Sequence, residues 1–193
     1  MNLHSNKELL QDAILATAQY LEMKEIYVEK DYWVSVSLFE LFHSDLADHT
    51  VFKGGTALSK CYKLIERFSE DIDMVVFRNE GENDNQLKKK IRSISKVVEK
   101  IMPEIEVDGL TNKMGNIRKT VHQYEKLFEE DYGQVRDKII VEATWLGNFE
   151  PYSEMQVSSY IYEMMEAKGQ DAIIEHYNMA PFAIRVLSKL RTL

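Results

Sequence analysis

Two aspartates one residue apart, Asp71 and Asp73, open the apolar run DIDMVV, and a Gly54-Gly55-Thr56 turn precedes them after Val51-Phe52. Side chains alternate along a strand, so both carboxylates project from one side while Ile72 and Met74 point to the other. Paired carboxylates repel unless a cation lies between them, and hard divalent ions such as Mg²⁺ take oxygen ligands of this kind. A glycine turn at the start of a helix offers backbone N–H groups to an anion. Together the two motifs describe a site for a metal-bound polyphosphate. Singly, each has a plainer explanation: a glycine pair marks many tight turns, and an edge strand carries solvated aspartates without a metal. The fourteen residues between Thr56 and Asp71 suffice for one helix that returns the chain to an adjacent strand, with both motifs at one end of a sheet.

A two-metal site wants a third carboxylate. Glu142 is the best candidate, because it lies inside KIIVEATW, where an unpaired charge is costly to bury. The alternative for Glu142 is an edge position facing solvent. Lys53, Lys60 and Arg67 flank the motifs, either to meet phosphates or to serve as ordinary ion-pair partners. Lys88, Lys89, Lys90, Arg92 and Lys96 form a basic stretch that reads first as a solvated helix face and second as a guide for RNA. Cys61 reads as a small buried residue rather than a nucleophile.

The elements that must position these residues can be outlined. Ser5 and Glu8 have capping-box spacing, and Leu10, Ala13, Ile14, Ala18 and Leu21 follow at helical period. A second helix is expected over Val28–His43, burying a stripe of Val34, Leu38, Leu41 and Phe42. Val51-Phe52 forms a short strand, Thr56 stands where a helix N-cap belongs, and that helix runs to about Ile65. Met74–Phe77 completes the aspartate strand. Leu87, Ile91, Ile94, Val98 and Ile101 mark a further helix before Pro103. Strands are expected over Ile105–Val107, Thr120–Leu127 and Val135–Ala143, with a turn at Asp131–Gly133. Helices over Ser158–Ala167 and Gln170–Tyr177, then a strand at Phe182–Leu187, complete the pattern. Without regular βαβ alternation, the fold class is α+β: a mixed sheet flanked by helices, in one domain over 1–193 with the helical pair of 1–47 packed on it.

Bulk properties narrow the classes. Hydrophobic residues at 45% supply a core, and 29% charge with three prolines argues against disorder. A net charge of −8 speaks against broad nonspecific binding to nucleic acid. A single cysteine excludes a disulfide framework. Charges interrupt the first residues before any membrane span or signal peptide, so the expected setting is the reduced cytoplasm, with no membrane partner.

VEKDYWV at Val28–Val34, FKGGTALSK at Phe52–Lys60 and ERFSEDIDM at Glu66–Met74 resemble the AbiEii/AbiGii toxin family of the polymerase-β-type nucleotidyltransferase superfamily. The resemblance extends to PFAIRVLSKLRTL at Pro181–Leu193. It implies a nucleotidyltransferase-like fold, Mg²⁺ or Mn²⁺ held by Asp71, Asp73 and Glu142, and an NTP whose phosphates lie on Gly54, Gly55 and Thr56, with Lys60 as a further candidate contact. It also implies in-line attack at the α-phosphorus, an acceptor such as RNA or tRNA, and a role as the toxin of a toxin–antitoxin or abortive-infection pair with a cognate antitoxin. In the family, the segment matching RVLSKLRTL leads into a helix that supplies a phosphate-binding lysine, and this sequence stops at Leu193, where that helix is expected to begin. The second reading is therefore an inactive nucleotidyltransferase-like interaction domain. Small-molecule nucleotidylation uses the same chemistry and stays open.

Overall fold

A computed structural model describes residues 1–64, 71–129, 136–146 and 150–192. Asn6, rather than Ser5, starts the first helix, α1 (Lys7–Leu21): its side chain accepts from the Leu9 N–H at 3.1 Å. Ser5 closes a short 3₁₀ turn, so the expected Ser5–Glu8 box does not form. Leu10, Ala13, Ile14 and Ala18 are buried, as their spacing predicts. Helix α2 (Glu25–Phe42) begins three residues before the expected start and is buried nearly all round. The single stripe expected of it is too narrow, because α1, a later helix pair and the sheet enclose it from several sides.

β1 (Thr50–Lys53) leads directly into α3 (Gly54–Lys60), and β2 (Asp71–Val76) follows. α3 ends at Lys60, short of the expected Ile65: the Cys61 and Tyr62 N–H groups both donate to the Ala57 carbonyl, and Lys63 turns the chain away with φ +53°. The turn expected at Asp131–Gly133 lies outside the described residues. α4 (Asp84–Glu99) starts at a reciprocal cap between Asn83 and Gln86 and buries Leu87, Ile91, Ile94 and Val98. Its other face carries Lys88, Lys89, Arg92 and Lys96, while Lys90 turns back to pair with Glu82 at 2.7 Å. β3 (Glu104–Ile105), β4 (Ile117–His122) and β5 (Ile139–Thr144) come next. β4 begins and ends earlier than the weak alternation of Thr120–Leu127 suggests.

The stretch after Pro151 is not only a lead-in to a helix. Tyr152–Val157 forms β6, an edge strand paired with one neighbour. Its residues are mostly exposed, so no apolar alternation announced it. α5 (Tyr160–Ala167) is capped by Ser159, which accepts from the Tyr162 N–H at 3.1 Å. α6 (Asp171–His176), β7 (Phe182–Leu187) and α7 (Lys189–Thr192) complete the described chain.

Among the described residues, seven strands form one mixed sheet in the order β3-β4-β5-β2-β1-β7-β6. β2 runs parallel to β5 and antiparallel to β1, so the start of β2, the end of β1 and the start of β5 share one end of the sheet. Ile72 and Met74 join the core with Val141 and Ala143, together with Val34, Leu38 and Leu41 of α2. This places Asp71 and Asp73 on the opposite face, as period two requires. No helix among the described residues is long and apolar enough to cross a membrane.

Candidate active site

Strand register assembles the site. Lys53 of β1 lies opposite Asp73 of β2, Asp73 opposite Glu142 of β5, and Glu142 opposite Lys119 of β4. Directly paired residues share a face. Four neighbouring strands therefore present a row of charge, positive, negative, negative, positive, with Asp71 two residues along β2 on the same face. Glu142 Oε2 lies 3.4 Å from Lys119 Nζ, and Asp71 Oδ1 lies 3.8 Å from Arg136 Nη1. Asp73 is pushed up to about 6, first by burial, then by the negative charges of Glu142 and Asp71; Lys53 and Lys119 offset this only in part.

The diglycine turn touches this row. Gly54 has φ +81°, a conformation side chains rarely adopt, and a Cβ built on it would lie 2.0 Å from Asp73 Oδ2. Both the backbone and the adjacent carboxylate thus demand glycine there. Thr56 is not the N-cap expected of it: Lys53 precedes the helix, and Thr56 sits inside the first turn, where its hydroxyl donates to the Asp71 carbonyl at 2.6 Å. That bond staples α3 to the start of β2.

Lys60 lies apart from the phosphate role considered for it. Its ammonium pairs with Asp31 at 2.5 Å, both side chains being 6% exposed, and lies 5.5 Å from the centre of the Tyr160 ring. Asp31 in turn accepts from the Tyr160 N–H at 2.8 Å, joining α2, α3 and the start of α5. Cys61 is buried and its thiol is pushed up to about 12 by that burial, as suits a packing residue. Lys119 and Arg136, both at the site, gave no signal in the sequence; only strand register and loop path bring them there.

The donor set suits a hard divalent cation: three carboxylates side by side, with Asp73 raised by burial and by its two acidic neighbours. Among the described residues, no three His, Cys, Asp or Glu side chains gather closely enough to hold a metal ion in this arrangement. Asp71 and Asp73 form the pair, and Glu142 is drawn to Lys119.

The fold is similar to that of a solved structure. MenT4, a nucleotidyltransferase toxin from Mycobacterium tuberculosis, aligns with a TM-score of 0.55 at 17% identity, over 92% of this chain and 55% of its own. This chain thus spans about half the length of that structure. No curated protein matches the sequence. Residues 37–193 match the family described as nucleotidyl transferase AbiEii toxin, type IV TA system. The chain belongs to the AbiEii nucleotidyltransferase toxin family, as its motifs suggested. The matched region contains the diglycine turn, both aspartates and Glu142, whereas VEKDYWV lies just before it.

Proposed function

We propose that the protein is a divalent-metal-dependent nucleotidyltransferase that moves a nucleoside monophosphate from an NTP to an acceptor hydroxyl, with an RNA such as a tRNA as the acceptor. It acts in the cytoplasm as the toxin of a toxin–antitoxin or abortive-infection pair, and a cognate antitoxin protein is its partner. The observation that carries this reading is the contact between Gly54 and Asp73 in a strand register that puts Glu142 alongside.

Asp71 and Asp73 would hold Mg²⁺ or Mn²⁺, with Glu142 joining them when it leaves Lys119. Bound there, the ion supplies neutralisation of the triphosphate and acidifies the attacking hydroxyl. The chain's own groups do the positioning. Gly54, Gly55 and the Thr56 N–H line the phosphate side, and the Thr56–Asp71 bond fixes that turn against β2. The acceptor oxygen bonds to the α-phosphorus as the bond to the β-phosphate oxygen breaks, and pyrophosphate departs with the electron pair. Glu142, near its cationic partner Lys119, is the candidate to receive the hydroxyl proton. Little covalent work falls to the protein, so orientation and charge carry the rate. Lys60 takes no part in phosphate binding and instead braces α3 against α2.

The Glu142–Lys119 pair favours one rival: a domain of this fold that binds partners without catalysis. Incubation with each α-³²P-labelled NTP, Mg²⁺ and total RNA separates them. Label on RNA, lost in Asp73→Asn, supports transfer to RNA. Label on the protein itself replaces RNA with self-modification, and no label with any NTP leaves the binding domain.

A further inference from the structure

Three consecutive charges, Glu29, Lys30 and Asp31, lie buried in α2, with 0%, 0% and 5% of each residue exposed. Successive helical residues point about 100° apart, so each reaches a different neighbour. Glu29 Oε1 accepts from the Leu127 N–H at 2.6 Å, and the Lys30 ammonium donates to the main-chain carbonyl of Arg136. The two therefore grip the two sides of the connection between β4 and β5. A buried ammonium is costly unless its protons find acceptors. One acceptor here is the backbone of a residue whose own side chain reaches the site.

The Arg136 guanidinium lies 3.8 Å from Asp71 Oδ1, and the side chain is 46% exposed. That spacing is too long for a hydrogen bond but close enough for attraction. The planar guanidinium fork matches phosphate oxygens better than an ammonium does. We propose that Arg136 contacts the nucleotide's phosphates beside Asp71, and that Lys30 is the positioning residue that holds it there. This rests on the nucleotidyltransferase reading for its substrate.

Position beside Asp71 gives the proposal an unusual signature. A bare divalent cation and Arg136 compete for one carboxylate, whereas a triphosphate recruits both. In Arg136→Gln, Mn²⁺ alone, followed by electron paramagnetic resonance, should bind roughly two- to fivefold more tightly. The Mg²⁺ complex of the NTP that wild type binds best, chosen from all four by equilibrium dialysis, should bind roughly ten- to a hundredfold more weakly. Both affinities moving together, or neither moving, overturns the phosphate role, as does a wild type that binds none of the four. Lys30→Met should weaken NTP binding in the wild-type background and add nothing in the Arg136→Gln background. Additive losses overturn the positioning role. Should Lys30→Met fail to fold in thermal unfolding, Lys30→Arg takes its place in the same cycle, and the opposed Mn²⁺ and NTP shifts of Arg136→Gln still decide the phosphate contact. Tight NTP binding with these shifts but no labelled product defeats the transferase reading and leaves this one standing.

Discussion

The molecule holds two clusters of charge built on opposite rules. On α2, Asp31 pairs with Lys60 and caps α5, while Glu29 and Lys30 meet main-chain groups; all are buried, and only for Glu29 does burial outweigh the hydrogen bonds enough to raise its carboxyl. On the sheet, Asp71, Asp73 and Glu142 are partly buried and crowded, and Lys119 and Arg136 stand off at 3.4 and 3.8 Å. The first cluster spends its electrostatics on fixing elements in place. The second sets three carboxylates beside three cations, Lys53, Lys119 and Arg136, the last two at spacings looser than the Lys60–Asp31 pair, and the proposed cation site rests on that looser arrangement. What separates the two clusters is the closeness of pairing, 2.5 Å for Lys60 and Asp31 against 3.4 and 3.8 Å on the sheet.

If this contrast holds, substitutions in the two clusters should separate stability from activity. Asp73→Asn should lower labelled nucleotide transfer at least about a thousandfold, an effect of roughly 4 kcal/mol or more on the barrier, while thermal unfolding of the metal-free protein stays unchanged or improves because a crowded charge is gone. A loss of stability in that variant would put Asp73 in the structural cluster. Lys60→Met should do the reverse, costing about 3–5 kcal/mol by leaving Asp31 buried and unpaired, with chemical denaturation as the measurement. Lys60→Met combined with Asp31→Leu should recover much of that loss.

Glu29 sharpens the comparison through pH. Burial raises it to about 7, ahead of the opposing hydrogen bonds from Leu127 and Phe128. The folded protein therefore holds this proton more tightly than the unfolded chain. Its contribution to stability is present below about pH 4.5 and is lost as pH rises through 7. Glu29→Gln keeps the acceptor for the Leu127 N–H without the charge. It should flatten the fall between pH 4.5 and 7 and stabilise the protein at pH 8 by up to about 3 kcal/mol. An unchanged slope would assign the pH response elsewhere. The smallest effect is expected of Lys119→Gln, which releases Glu142: Mn²⁺ should bind about threefold more tightly, and weaker binding would mean that Lys119 assists rather than restrains the carboxylate.

Much of the candidate site's arrangement was legible because its residues violate local expectation. Glu142 interrupts an apolar strand, Asp71 and Asp73 open another, and Gly54-Gly55 breaks the chain between a strand and a helix. Lys60 misled because closeness in sequence to the diglycine turn does not fix direction; its position at the far end of α3 turns it toward Asp31. Thr56 likewise serves the α3–β2 junction rather than a cap. β6 escaped because an edge strand paired on one side needs no apolar alternation, and α2 was read too narrowly because a helix enclosed on several sides has no polar face to outline its stripe.

Sequence by itself determined the chemistry at hand: carboxylates at period two, a glycine that tolerates left-handed backbone, and enough apolar residues to build a sheet with covering helices. These are local properties, set by side-chain type and spacing. The tertiary structure decided which charges meet. Pairing of Lys53, Asp73, Glu142 and Lys119, and the approach of Arg136 to Asp71, depend on strand order and register among segments far apart in the chain, and no local pattern encodes a distance across a sheet.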